Sequence, residues 1–135
     1  MWDWAHAVDP RDVTPLHAQI ERSIRVAIAS GTLQPGDQIP TVRQLAVALR
    51  VNANTVARVY SHLERDGTVE TRRGVGTFIA APAASPRNQQ ARVADLRAIA
   101  LRALAEASAR GFSAAELRRE FHTIAKEHRR DHAKN

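Results

Sequence analysis

Over residues 13–80 the apolar residues of this chain change period once, at Asp66-Gly67. Before that point they recur three or four residues apart, the spacing of one buried helix face. Leu16, Ile20, Ile24, Ala27 and Ile28 form a first such set, Leu45, Ala46 and Leu49 a second, and Val56, Val59, Tyr60 and Leu63 a third. After it, Thr68-Val69-Glu70-Thr71 and Thr77-Phe78-Ile79-Ala80 alternate, as half-buried strands do. "RRGVG" lies between them and reads as a hairpin tip containing glycine. Few folds satisfy three helical faces followed by one hairpin within so short a span.

The punctuation agrees with the periods. Thr14 is expected to cap the first helix, with Pro15 at its first helical position, where a missing N–H costs nothing. Ser30-Gly31 ends that helix, with Gly31 placed for the left-handed conformation. Pro35-Gly36 marks a turn, and Leu33 and Ile39 are expected to anchor the loop to the core. Thr41 and Gln44 have the spacing of a capping box at the start of the second helix. After a turn at Arg50 and an inward Val51, Asn52 caps the third helix. The order helix, helix, turn, helix, hairpin is that of a winged helix-turn-helix, assigned to residues 13–81.

Residues 82–90 read as a linker rich in Pro, Ser, Asn and Gln. A helix is predicted from about Ala91 to Arg110, with Val93, Leu96, Ile99, Ala100, Ala103, Leu104 and Ala107 in one broad stripe. Gly111 stops it. Ser113 and Glu116 form a second capping box, and Phe112 is expected to staple against Leu117. Leu117, Phe121, Ile124 and Ala125 continue the apolar face of the following helix, so residues 91–132 read as a helical hairpin. Two helices cannot cover their own apolar stripes, and the expected cover is a second copy of the chain. The fold class is therefore mainly α with a small β-hairpin wing: an N-terminal winged helix-turn-helix and a C-terminal two-helix dimerisation hairpin. At the other end, Trp2 and Trp4 alternate like a short strand and are expected to pack into the core or an interface.

Composition narrows the function. With no cysteine, disulfides and Cys-based zinc sites are excluded. The opening "MWDWAHAVDP" has no apolar signal-peptide core, and no apolar run approaches the roughly 20 residues that span a bilayer. A soluble cytoplasmic protein without membrane contact is expected. Of the six histidines, His128 and His132 stand one helical turn apart, but no third ligand is fixed near them, so no metal site is assigned. No nucleophile stands beside a credible base. No catalytic residue and no cofactor is assigned, and the chain is not expected to be an enzyme.

The net charge of +6 is unevenly spread. Residues 1–80 carry nine Arg against eight Asp and Glu, whereas residues 81–135 carry eleven Arg and Lys against six. Any nucleic-acid affinity in the first part must come from where its arginines sit rather than from bulk charge. They surround the third helix. Arg43 is in the first turn of the second helix, Arg50 in the turn, Arg58 one turn after Asn54, and Arg72 and Arg73 at the wing tip. The first turn of the third helix carries Asn52, Asn54 and Thr55, small polar side chains suited to base edges in a major groove. Capping alone would account for Asn52, but capping needs only one such residue. A winged helix used as a protein-interaction module is the alternative, and an exposed apolar patch on that face would favour it. RNA binding lacks the exposed aromatic platform it commonly uses.

"PLHAQI", "IASGTLQPGDQIPTVRQLA", "VNANTVARVYSHLERDG" and "TRRGVGTF", in that order and spacing, resemble the DNA-binding domain of the GntR family of bacterial transcription regulators. The resemblance covers residues 13–80, about half the chain. It implies sequence-specific binding of double-stranded DNA, as a homodimer on a palindromic operator. By position it places DNA contacts on Arg43, Asn52, Ala53, Asn54 and Thr55, and on Arg73 and Gly74 of the wing. Ala53 departs from a hydrogen-bonding pattern and offers only backbone or a contact to a thymine methyl. With only residues 81–135 following, the chain resembles the short YtrA-type members, whose two C-terminal helices dimerise. Such members often repress their own operon, frequently one with transporter genes. No residue marks a site for a small-molecule effector.

Overall fold

The computed structural model describes residues 2–82 and 89–133. The first helix, α1, is Leu16–Ala29. It starts one residue later than predicted, because Pro15 takes an extended ψ of 141° and becomes the N-cap. Thr14 therefore stands outside the helix and does not cap it; its N–H bonds Asp12 Oδ1 at 2.8 Å. The entry is held instead by Gln19, which is 1% exposed. Gln19 Nε2 donates to the carbonyls of Thr14 at 2.7 Å and Asp9 at 2.9 Å, and Oε1 accepts from Asp9 N–H at 2.7 Å. At the far end Gly31 adopts φ +82° as expected, and Leu33 N–H closes onto the Ala27 carbonyl at 3.0 Å.

The second helix, α2, is Val42–Leu49, and its capping box is complete. Thr41 Oγ1 accepts from Gln44 N–H at 3.1 Å, while Gln44 Oε1 accepts from Thr41 N–H at 3.0 Å. The third, α3, is Ala53–Arg65, capped by Asn52. Between them Arg50 sits in the left-handed region at φ 57°, the only non-glycine residue with positive φ among the described residues. Gly or Asn usually fills that conformation. Ile20, Ile24, Leu45, Val56 and Leu63 are fully buried and form the centre of the core, with Ile39, Val69 and Ile79 closing it from the sheet. Tyr60 ties α3 to the entry of α2 by donating its hydroxyl to the Pro40 carbonyl at 2.6 Å, and burial pushes its pKa up. Arg25 on α1 pairs with Asp66 at the end of α3 and reaches Thr68 Oγ1 at 3.3 Å. Desolvation pushes the Asp66 carboxyl up. The hydrogen bonds from Thr68 and Arg25 outweigh it, so Asp66 lies below the usual carboxylate range.

The sheet has three strands, β1 Gln38–Ile39, β2 Val69–Arg72 and β3 Gly76–Ile79, antiparallel in the order β1-β3-β2. The hairpin strands lie one residue from their predicted positions, since Arg72 pairs with Gly76 and leaves a loop of 73–75. β1 was not anticipated: with one exposed and one buried residue it is too short to show a period. The N-terminal segment also differs from expectation. Asp3–Ala7 is a 3-10 helix and not a strand, although Trp4 does reach the core at 5% exposure.

The described residues divide into two compact units, one holding residues 2–82 and one holding residues 89–127. The second carries α4, Gln89–Ala109, and α5, Ala114–Ala133, as far as Glu127. Gln89 and Gln90 thus belong to α4 and not to the linker, and residues 83–88 of the predicted linker lie outside the described residues. Gly111 breaks the helices at φ +87°. The second capping box is present: Glu116 Oε2 accepts from Ser113 N–H at 2.7 Å and Ser113 Oγ from Glu116 N–H at 3.2 Å. These bonds hold the Glu116 carboxyl below its ordinary pKa. Val93, Leu96, Ile99 and Leu104 of the predicted stripe are exposed, and so is Leu101, which lies off that stripe. The side chains of His128 and His132 lie outside the described residues.

Candidate nucleic-acid interface

The first turn of α3 is built outward from its cap. Asn52 Oδ1 accepts from Asn54 N–H at 2.8 Å, so the Asn52 oxygen is turned back onto the helix and its NH2 group remains to donate outward. Asn54 is exposed and its side-chain amide has no partner among the described residues. Ala53 beside it is exposed, and Thr55 is half-buried. Val56 is the first residue of α3 to enter the core, so the helix changes from solvent-facing to packed within one turn. Arg43, at the second position of α2, and Arg50, in the turn, are both exposed.

Asn54 and Arg58 also line an open groove of about 750 Å³ between α1 and α3. His17, Glu21, His62 and Arg65 line it with them. Glu21 is occupied within the groove by His62 Nδ1 and, at 3.6 Å, by Arg25. His62 and Arg65 continue the Asn54–Arg58 row along α3 at helical spacing, a signal the sequence carried. His17 and Glu21 reach the groove only through the packing of α1 on α3, which no local pattern reveals.

The wing presents a second group. Arg72, though exposed, folds back along the sheet. Its guanidinium lies over the Phe78 ring, 4.4 Å from the centroid, and its Nε is 3.3 Å from Glu70 Oε1. Arg73 and Gly74 form the exposed tip, where Gly74 takes φ +77° and Val75 N–H closes the turn on the Arg72 carbonyl at 2.9 Å. Arg73 has no side-chain partner among the described residues. Both groups are held on one core, because α3 runs into β2 through Thr68, whose N–H bonds the Leu63 carbonyl at 2.9 Å. Among the described residues no group of three His, Asp or Glu side chains is placed to hold a metal ion. No helix there is long and apolar enough to cross a membrane.

Comparison with known proteins places this arrangement. The family model described as "Bacterial regulatory proteins, gntR family" matches residues 16–79. The HTH-type transcriptional repressor YtrA of Bacillus subtilis is 44% identical over 72 residues, which are 53% of this chain and 55% of that protein. The chain spans about half the length of such curated relatives. Among solved structures, YtrA from Sulfolobus acidocaldarius, a GntR-family transcription factor, is 32% identical with a TM-score of 0.52. That match covers 69% of this chain and 95% of the other. A transcriptional antiterminator from Listeria monocytogenes is 28% identical with a TM-score of 0.63, over 93% of this chain and 90% of that one.

Proposed function

The chain belongs to the GntR family of bacterial regulatory proteins, and from that premise we propose that it is a sequence-specific DNA-binding repressor of the YtrA type. Its relatives are regulators and not enzymes, so the exposed polar groups are read as binding groups. The observation that carries the reading is the unpartnered Asn54 amide on the capped first turn of α3. An Asn side chain with both its oxygen and its NH2 group available can bond adenine N6 and N7 together. Asn52, with its oxygen engaged in capping, contributes a donor. Ala53 approaches a base only through its methyl group or backbone, and Thr55 supports the turn from its half-buried position. Arg43, Arg50 and Arg58 meet phosphates on either side of the helix, and the wing tip at Arg73 and Gly74 reaches the backbone beyond.

The protein acts in the cytoplasm as a homodimer on a palindromic operator, with α4 and α5 of one copy covering those of the other. What supports this is the exposed Leu96, Ile99 and Phe121, which a single copy leaves in water. An operon carrying its own gene, with transporter genes, is the expected target. The alternative of a protein-docking winged helix is disfavoured, since the start of α3 presents Asn52 and Asn54 and its second turn presents Arg58, all exposed.

A gel-shift titration with the DNA directly upstream of the chain's own gene, against scrambled competitor, tests the reading. A shift that survives competitor supports it. Equal loss of the complex to competitor, followed by no enriched motif in a selection from random DNA, overturns it.

A further inference from the structure

We infer that Arg73 is the one phosphate-contacting side chain of the wing and that Gln38, on β1, positions it. This rests on the DNA-binding reading above and goes beyond it. It separates two arginines that sequence alone treats as equivalent, and it brings in a residue from a distant segment.

Gln38 pairs with Phe78 across the β1–β3 ladder. From there its side chain runs along β3 to the loop, where Nε2 donates to the Val75 carbonyl at 3.2 Å. On the way it crosses Gly76. That glycine has φ +146°, and a Cβ built on it would overlap Gln38 Nε2. Gly76 is thus the space in which the Gln38 amide lies. The loop is then held from both sides: by Val75 N–H on the Arg72 carbonyl within the hairpin, and by the Val75 carbonyl on Gln38 from the neighbouring strand. An amide donor reaching across a strand restricts where residue 73 can point.

Arg72 is held differently. Its cation rests on the Phe78 ring and beside the Glu70 carboxylate, both on the sheet surface. Glu70 offsets its charge locally, and moving the guanidinium to a phosphate would forfeit both contacts and leave Glu70 facing the DNA. Arg73 carries neither restraint. Arg72 therefore packs the wing and Arg73 works at its tip.

The test is an anisotropy titration of the full chain with a labelled mixed-sequence duplex of about 30 base pairs, roughly three helical turns, repeated across salt concentrations. Arg73→Ala should flatten the plot of log K against log salt by about 2 for the dimer, the loss of one phosphate contact from each protomer. The joint variant Glu70→Gln, Arg72→Gln removes a neutral pair and should leave the slope unchanged; a fall of about 2 would make Arg72 a second contact of each wing and overturn the assignment. Gln38→Met keeps the chain length and loses the donor. It should weaken binding about threefold, the scale of one exposed hydrogen bond, and have no further effect in the Arg73→Ala background. Gly76→Ala displaces the same amide and should behave alike. Matching thermal melts for the wild type and Gln38→Met exclude a general loss of fold. Full additivity of Gln38→Met with Arg73→Ala, or no effect of either Gln38→Met or Gly76→Ala, overturns the positioning role and leaves the proposed function standing. No effect of Arg73→Ala overturns the assignment of Arg73, and no binding by the wild type removes the function itself.

Discussion

The winged unit and the α4–α5 pair use similar apolar residues to opposite ends. In the first, Ile20, Ile24, Leu45, Val56 and Leu63 are all 0% exposed. In the second, Leu96 is 66% exposed, Ile99 55% and Phe121 55%. Both units have well-punctuated helices, with paired capping boxes at Thr41–Gln44 and Ser113–Glu116. Local signals therefore specify where a helix begins without specifying what covers it. Three helices and a small sheet enclose a core, whereas two helices expose most of theirs.

If that contrast is real, truncation should cost stability in the first unit and association in the second. The largest expected effect is Leu63→Ala, which should lower unfolding free energy by about 2–5 kcal/mol in urea titration, because no neighbouring solvent can fill the space. Leu96→Glu on α4 should leave the winged unit's stability within about 0.5 kcal/mol. In sedimentation equilibrium the same change should shift the chain from dimer towards monomer. A loss of fold on Leu96→Glu, with no change of mass, would break the comparison.

A smaller contrast sharpens it inside the winged unit. Arg50 holds a left-handed conformation that glycine adopts without steric cost. Arg50→Gly should therefore raise stability by up to about 1 kcal/mol, offset in part by the greater freedom of the unfolded chain. It should also weaken DNA binding and flatten its salt dependence by about 2 for the dimer, one contact from each protomer. A residue retained against local stability is expected at a working site. The smallest effect concerns the ion pair that ties α1 to the end of α3. The folded state depresses the Asp66 pKa, so its stabilisation is present above the ordinary carboxylate range near pH 4 and is lost as pH falls through the folded value. The pair is part-exposed, and it should contribute at most about 0.5 kcal/mol. Asp66→Asn should remove that part of the pH dependence in melts taken between about pH 5 and 2.

Which features could be read in advance follows from their range in sequence. The caps at Thr41, Asn52 and Ser113 and the stops at Gly31 and Gly111 are contacts over two to four residues, and composition announces them. Gln19 is the counterexample: it secures the entry to α1 across ten residues to Asp9, so Thr14 and Pro15 gave a helix start one residue early. β1 has no period because it has two residues, and it becomes visible only through its pairing with β3. The same holds at the candidate site. The Asn and Arg residues around α3 were evident as residue types at helical spacing. That Arg72 lies on Phe78 and that Gln38 reaches the wing depend on side-chain geometry or on strands distant in sequence.

The most direct test of specific readout concerns Asn54. Wild type and Asn54→Ala would be titrated at about 0.15 M salt, where exposed charges are substantially screened, against the upstream duplex and a scrambled duplex of the same composition. Direct base contact predicts a loss of about 1–3 kcal/mol on the upstream duplex and unchanged affinity for the scrambled one. Equal loss on both duplexes, or no loss on either, would contradict it.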